Sequence, residues 1–112
     1  MYNPKTEIYN ALKDLGYACK QGNQDTFNSV PAITFTIGEN VPQYTLNKEV
    51  SASNIQAIVD IWADDSITAS RIAGEAELAM RNIDYLLTYS ADIPFPAGSL
   101  FHIQMRYDAI KN

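Results

Sequence analysis

Ile55-Gln56-Ala57-Ile58-Val59-Asp60-Ile61-Trp62, followed after Ala63 by Asp64-Asp65-Ser66, decides how this chain folds. Successive side chains of an extended strand point to opposite faces. Ile55, Ala57, Val59 and Ile61 therefore share one face, and Gln56, Ile58, Asp60 and Trp62 the other. Asp64-Asp65-Ser66 stops the strand and supplies side-chain oxygens that cap the free N–H groups of a helix start. The period then changes. From Ile67 to Leu87, the residues Ala69, Ile72, Ala73, Ala76, Ala79, Met80, Ile83 and Leu87 fall on one helical stripe. Alanines on that stripe let the helix sit close to a sheet. Arg71 with Glu75 and Glu77 with Arg81 are i,i+4 pairs on the opposite, wet face, a solubility pattern worth a few tenths of a kcal/mol.

Working outward, the same two periods recur. Ile33, Phe35 and Ile37 alternate with Thr34 and Thr36 after Pro31, a half-buried strand. Gly38-Glu39-Asn40 reads as a turn. The stretch from Gln43 to Val50 alternates again through Tyr44, Leu46 and Val50. Near the start, Asn3 caps a helix, Pro4 fits its first position, and Ile8, Leu12 and Leu15 line one side before Gly16 stops it. Tyr17 to Gln21 is a brief strand. Ser90 to Ser99, with Pro94, Pro96 and Gly98, reads as a loop. From Leu100 to Ile110 a long strand alternates Phe101, Ile103, Met105, Tyr107 and Ala109 with His102, Gln104, Arg106 and Asp108. The order predicts an α+β fold: a mainly antiparallel sheet of about four strands with two one-faced helices packed on one side.

Composition bounds the function. The chain has 112 residues, 46% hydrophobic and 19% charged, which suits a single domain spanning 1–112. A formal net charge of −5 and no local run of Lys and Arg disfavour specific nucleic-acid binding. The single cysteine, Cys19, reads as a small residue near the start of a strand rather than a reactive thiol. No stretch has the character of a signal peptide or approaches the ~20 apolar residues of a membrane helix, so folding in a cytoplasm is expected. His102 is the only histidine and reads as a surface residue. Asp60, Asp64 and Asp65 cluster at a strand end, which helix capping explains more simply than a divalent ion. No phosphate-cradling glycine loop, GxSxG or HExxH occurs. The expectation is a protein with no enzymatic activity, cofactor or metal; an enzyme would have to use dispersed groups.

Helices on one side leave the other sheet face uncovered. By alternation that face carries Thr34, Thr36, Gln56, Ile58, Asp60, Trp62, His102, Gln104 and Arg106. It is too polar for a second core layer, yet Ile58 and Trp62 are costly to leave in water. A mixed face of this kind suits a subunit contact; Trp62 tucked under a local loop, or a register shifted by one, accounts for it equally well. Phe27, Tyr44 and Phe95, aromatic residues in loop-like segments, either fold back or reach a neighbour. Ile58, Trp62, Phe27, Tyr44 and Phe95 are the interface candidates.

Taken together, these segments resemble a known family. A short helix ends in Leu15-Gly16-Tyr17, a strand runs Val30-Pro31-Ala32-Ile33-Thr34-Phe35, another runs Ile58-Val59-Asp60-Ile61-Trp62, and a long helix follows Asp64-Asp65-Ser66 directly. This order and spacing, from about Ile8 to Tyr107, resembles the tail-completion and tail-terminator (head-tail joining) proteins of long-tailed bacteriophages and prophages. The resemblance implies a virion subunit, made in the host cytoplasm, that forms a ring, commonly a hexamer. It also implies partners in the tail-tube protein and the head connector, and no catalysis or obligatory cofactor. Acidic charge would suit a lumen through which DNA passes. The alternatives are a head-side neck or connector protein of the same virion region and a bacterial protein-binding adaptor.

Overall fold

The computed structural model describes residues 3–22, 31–44, 50–93 and 100–111; the side chains of residues 43, 44, 50 and 51 lie outside that description. Seven elements follow one another: α1 (Pro4–Lys13), β1 (Ala18–Gln21), β2 (Ala32–Tyr44), β3 (Val50–Ala63), α2 (Ser66–Asn82), β4 (Leu86–Ile93) and β5 (Phe101–Lys111). The strands form one sheet in the order β1-β2-β3-β5-β4. Only β1 and β2 are parallel; the other three pairings are antiparallel. This is the α+β architecture expected, with five strands where about four were counted.

Each helix start follows from its cap. The Asn3 side chain accepts from the Lys5 N–H at 3.2 Å, and Pro4 occupies the first turn, where no N–H is missed. Asp65 accepts from the N–H groups of Ile67 and Thr68 at 3.2 and 3.1 Å and is also bonded by the Thr68 hydroxyl. Those three bonds, the Thr68 hydroxyl foremost, hold the Asp65 carboxyl below the usual carboxylate range. After α1 the chain reverses at Gly16, whose φ of +91° a side chain would strain.

The core lies between the helices and one sheet face. Ile8 and Leu12 of α1, and Ala69, Ile72, Ala76 and Met80 of α2, close on Ile33, Phe35, Val59, Ile61, Met105 and Tyr107. Ala73, Ala79 and Ile83 pack at its margin. Each fully buried large apolar side chain contributes roughly 1.5–3 kcal/mol. Tyr17 ties β1 to α2 by donating to Glu75 at 2.7 Å, and Glu77 pairs with Arg81 as its spacing predicts. Cys19 packs against the core, where burial pushes its thiol up to about 11.

Three boundaries differ from the sequence reading. The long helix does not reach Leu87. It stops at Asn82, because Asp84 takes a left-handed conformation (φ +67°) and the Asp84 and Tyr85 N–H groups donate back to Arg81 and Met80. Tyr85 then drops into the core, and Leu86 begins β4. Consequently residues 90–93, expected to open a loop, belong to β4, and the rest of that expected loop, residues 94–99, lies outside the described residues. Gly38 does not turn the chain either. It is the extra residue of a β-bulge: pairing steps from Ile37 with Ala57 to Glu39 with Gln56, and β2 runs on to Tyr44. A Cβ at Gly38 would stand 3.0 Å from Gln56 Oε1, so a larger residue there would have to push that side-chain end aside. Of the strand expected from Gln43 to Val50, residues 43 and 44 end β2 and residue 50 starts β3, while residues 45–49 lie outside the described residues.

Candidate functional site

The strand registers stack side chains into rows across the uncovered face. Ala32, Trp62, His102 and Ile93 form the first row; Thr34, Asp60, Gln104 and Ala91 the second. Thr36, Ile58, Arg106 and Tyr89 form the third, and Glu39, Gln56, Asp108 and Leu86 the fourth. The face predicted from alternation is thus assembled as read, with Trp62 and Ile58 turned away from the helices. The β2 bulge keeps Glu39 in step with its row, and a second bulge between Leu87 and Tyr89 does the same for β4.

The first two rows make a connected polar layer. Trp62 Nε1 donates to Thr34 Oγ1 at 3.0 Å, and the indole stacks on the His102 ring with centroids 3.8 Å apart and planes 13° from parallel. His102 Nε2 lies 2.6 Å from Asp60 Oδ1, and Gln104 Nε2 donates to the same oxygen at 3.5 Å. Arg106 donates to Gln104 Oε1 at 3.3 Å and sits 5.1 Å above the Tyr89 ring. Trp62 is 4% exposed, and Thr34 and Asp60 are also buried. Polar groups tolerate such burial when they satisfy one another. His102 is therefore a largely buried member of this layer, not the surface residue its surroundings in sequence suggested.

The lower rows are different. Leu86 is 66% exposed and Ile110, next along β5, is 69% exposed; Val41 and Tyr89 are exposed too, and Ile58 is half-buried. Beside Leu86 and Ile110 runs an open groove of about 650 Å³, which Asn54 and Gln56 and the acids Glu39, Asp84 and Asp108 also line. Exposed apolar side chains among polar and acidic ones have the make-up of a protein contact. Sequence reading missed Leu86, because it was assigned to the helix, and Ile110, because it ended a strand. The one available signal was their alternation parity with Asp108 and Arg106.

Of the other interface candidates, Phe27 and Phe95 lie outside the described residues, and Tyr44 is described only as the last backbone position of β2. The three aspartates of the strand end diverge: Asp60 faces the sheet network, Asp65 caps α2, and Asp64 is exposed. Among the described residues no group of three His, Cys, Asp or Glu could hold a metal ion, and no helix is long and apolar enough to cross a membrane.

With this geometry in view, the chain can be set beside known structures. It is similar to a chain of the "Virion of native gene transfer agent (GTA) particle", with a TM-score of 0.67 over 94% of this chain and 92% of that one. The two share a fold. Sequence identity is 11%, so the likeness lies in architecture and not in particular side chains. No protein-family model matches the chain, and no curated protein does.

Proposed function

We propose that this protein is a non-catalytic structural subunit of a phage-like virion, a tail-completion or tail-terminator protein. It assembles as a ring at the end of the tail that joins the head. The observation that carries the reading is the shared fold: nearly the whole chain superimposes on nearly the whole of a virion component. The segment order that resembles the tail-completion family supports the station in the particle. The uncovered face supplies a means of assembly, since Ile58, Leu86, Tyr89 and Ile110 form a surface that one chain leaves in water. On this reading the lower rows meet the tail tube or the head connector, while Trp62, held by Thr34 and His102, keeps the sheet beneath them rigid.

Deleting the gene from the strain that encodes it tests the reading. Unjoined heads and tails in the lysate, with joining restored by adding the purified chain, are expected. Immunogold label against a tagged chain should fall at the head-proximal end of the tail. Particles that assemble normally without the protein, or that never contain it, would overturn the proposal. Label confined to the head vertex would instead identify a neck protein.

A further inference from the structure

The two edges of the sheet are complementary. At one edge, α1 and β1 enclose a shallow groove of about 510 Å³ lined by Lys5, Thr6, Tyr9, Cys19, Lys20 and Gln21. Lys5 and Lys20 are exposed and have no ion pair among the described residues. A second groove, of about 530 Å³, continues along the same edge between the start of α1 and β2, where Pro4, Ile37 and Gly38 form its walls. At the opposite edge is β4. Its outer side has no strand partner among the described residues, and it carries exposed Asp92 and exposed Leu87 on the helix side.

Strand directions and registers make the two edges fit. β1 runs with β2, and three antiparallel pairings then separate β2 from β4, so β4 runs opposite to β1. A second copy set beside the first in the same orientation therefore continues the sheet with an antiparallel pair. All helices stay on one side. The registers also fix the levels. Cys19 lies level with Ile33, Ile61, Ile103 and Asp92, and Ile37 lies level with Ala57, Tyr107 and Leu87. In such a copy Asp92 arrives on the helix side, at the groove flanked by Lys5; Lys20, level with Thr34, belongs to the uncovered face. Leu87 arrives at the groove walled by Pro4, Ile37 and Gly38, beyond the point where β1 stops at Gln21.

We infer that the β4 edge of one copy docks on the α1–β1 edge of the next, Asp92 against Lys5 and Leu87 against Ile37. The contact is head-to-tail, so each copy keeps one free edge of each kind and repetition closes a ring when the rotation permits. Main-chain pairing at the edge supplies affinity, and the opposite charges select this neighbour over a like-edge pairing. The inference rests on the ring proposed above and specifies which surfaces build it.

Two variants separate the edges: Lys5→Glu and Asp92→Lys. Each alone faces like charge across every contact. Mixed in equal amounts they alternate, and every contact is again opposite in charge. Sedimentation at high chain concentration and low salt should show self-association weakened about tenfold for each variant and restored to within about twofold in the mixture. Carbodiimide treatment of mixed isotope-labelled and unlabelled wild-type chains should yield intermolecular amides joining Asp92 to Lys5. Variants that associate like the wild type, a mixture that stays dissociated, or the absence of those amides overturns the inference. A chain found at the tail end without these amides keeps the proposed function and loses the edge contact. Amides formed by a chain absent from the particle do the reverse.

Discussion

One sheet face has two halves that behave as different materials. In the upper half Thr34, Trp62, His102, Asp60 and Gln104 satisfy one another and leave almost nothing to water. In the lower half Leu86 and Ile110 stand exposed in a groove that Glu39, Asp84 and Asp108 help to line, and Tyr89 and Val41 are exposed as well. Both halves come from the same alternation on the same strands. Parity in a strand therefore assigns a face but not a fate. Whether a large side chain on that face serves the chain or a neighbour depends on what stands across the ladder from it.

Substitutions in each half should separate these roles. The largest effect belongs to Trp62→Ala. Removing a buried indole and its stack on His102 should cost the single chain about 3–5 kcal/mol, read from urea unfolding. Loss of assembly with an unchanged unfolding midpoint would mean that the upper half is itself a contact. In the lower half, Leu86→Ala with Ile110→Ala should leave the unfolding free energy within about 0.5 kcal/mol. The same pair should weaken association with the partner by about 2 kcal/mol, measured by calorimetry or sedimentation. An unchanged association would remove the lower half as the contact. Of similar size, Asp60→Ala strips an acceptor from His102 and Gln104 and should cost about 1–3 kcal/mol of chain stability.

The smallest effect lies outside the comparison and calibrates it. Asp65→Ala removes the cap of α2 and should lower the melting temperature by on the order of 5 °C at neutral pH. The Asp65 carboxyl is held low in the folded chain. Its contribution is complete above its unfolded value of about 3.9 and disappears as pH falls through the lower folded value. Melting curves of the two proteins should therefore converge in acid.

The architecture was largely written in local pattern. The alternation of Ile55 to Trp62, the cap at Asp65 and the stripe from Ala69 to Met80 each depend on neighbours within a few residues, and each is realised. β4 was not visible. Ile83 and Leu87 extend a helical spacing, the stop at Asp84 lacks a glycine, and an edge strand exposed on both sides shows no alternation. Gly38 carried a true signal, an irregular backbone, but a bulge and a turn both ask for the same residue. The sealing of Trp62 was not legible: a covering loop and a shifted register were the alternatives, but the register is as read and the partners Thr34 and His102 come from distant strands. The interface candidates Ile58 and Trp62 fell on the correct face, yet nothing local could say that one would be half-open and the other closed.

The order β1-β2-β3-β5-β4 has a consequence for how the molecule is made. On a ribosome β3 emerges and finds β2 at once, but its other side must wait while α2 and β4 are synthesised. Until β5 appears, a nascent chain holds the edge from Ser53 to Ala63 unpaired. The most apolar strand of the protein is thus also the one left longest without its second neighbour. A product lacking β5 would not be a smaller version of this fold but an open template for mispairing.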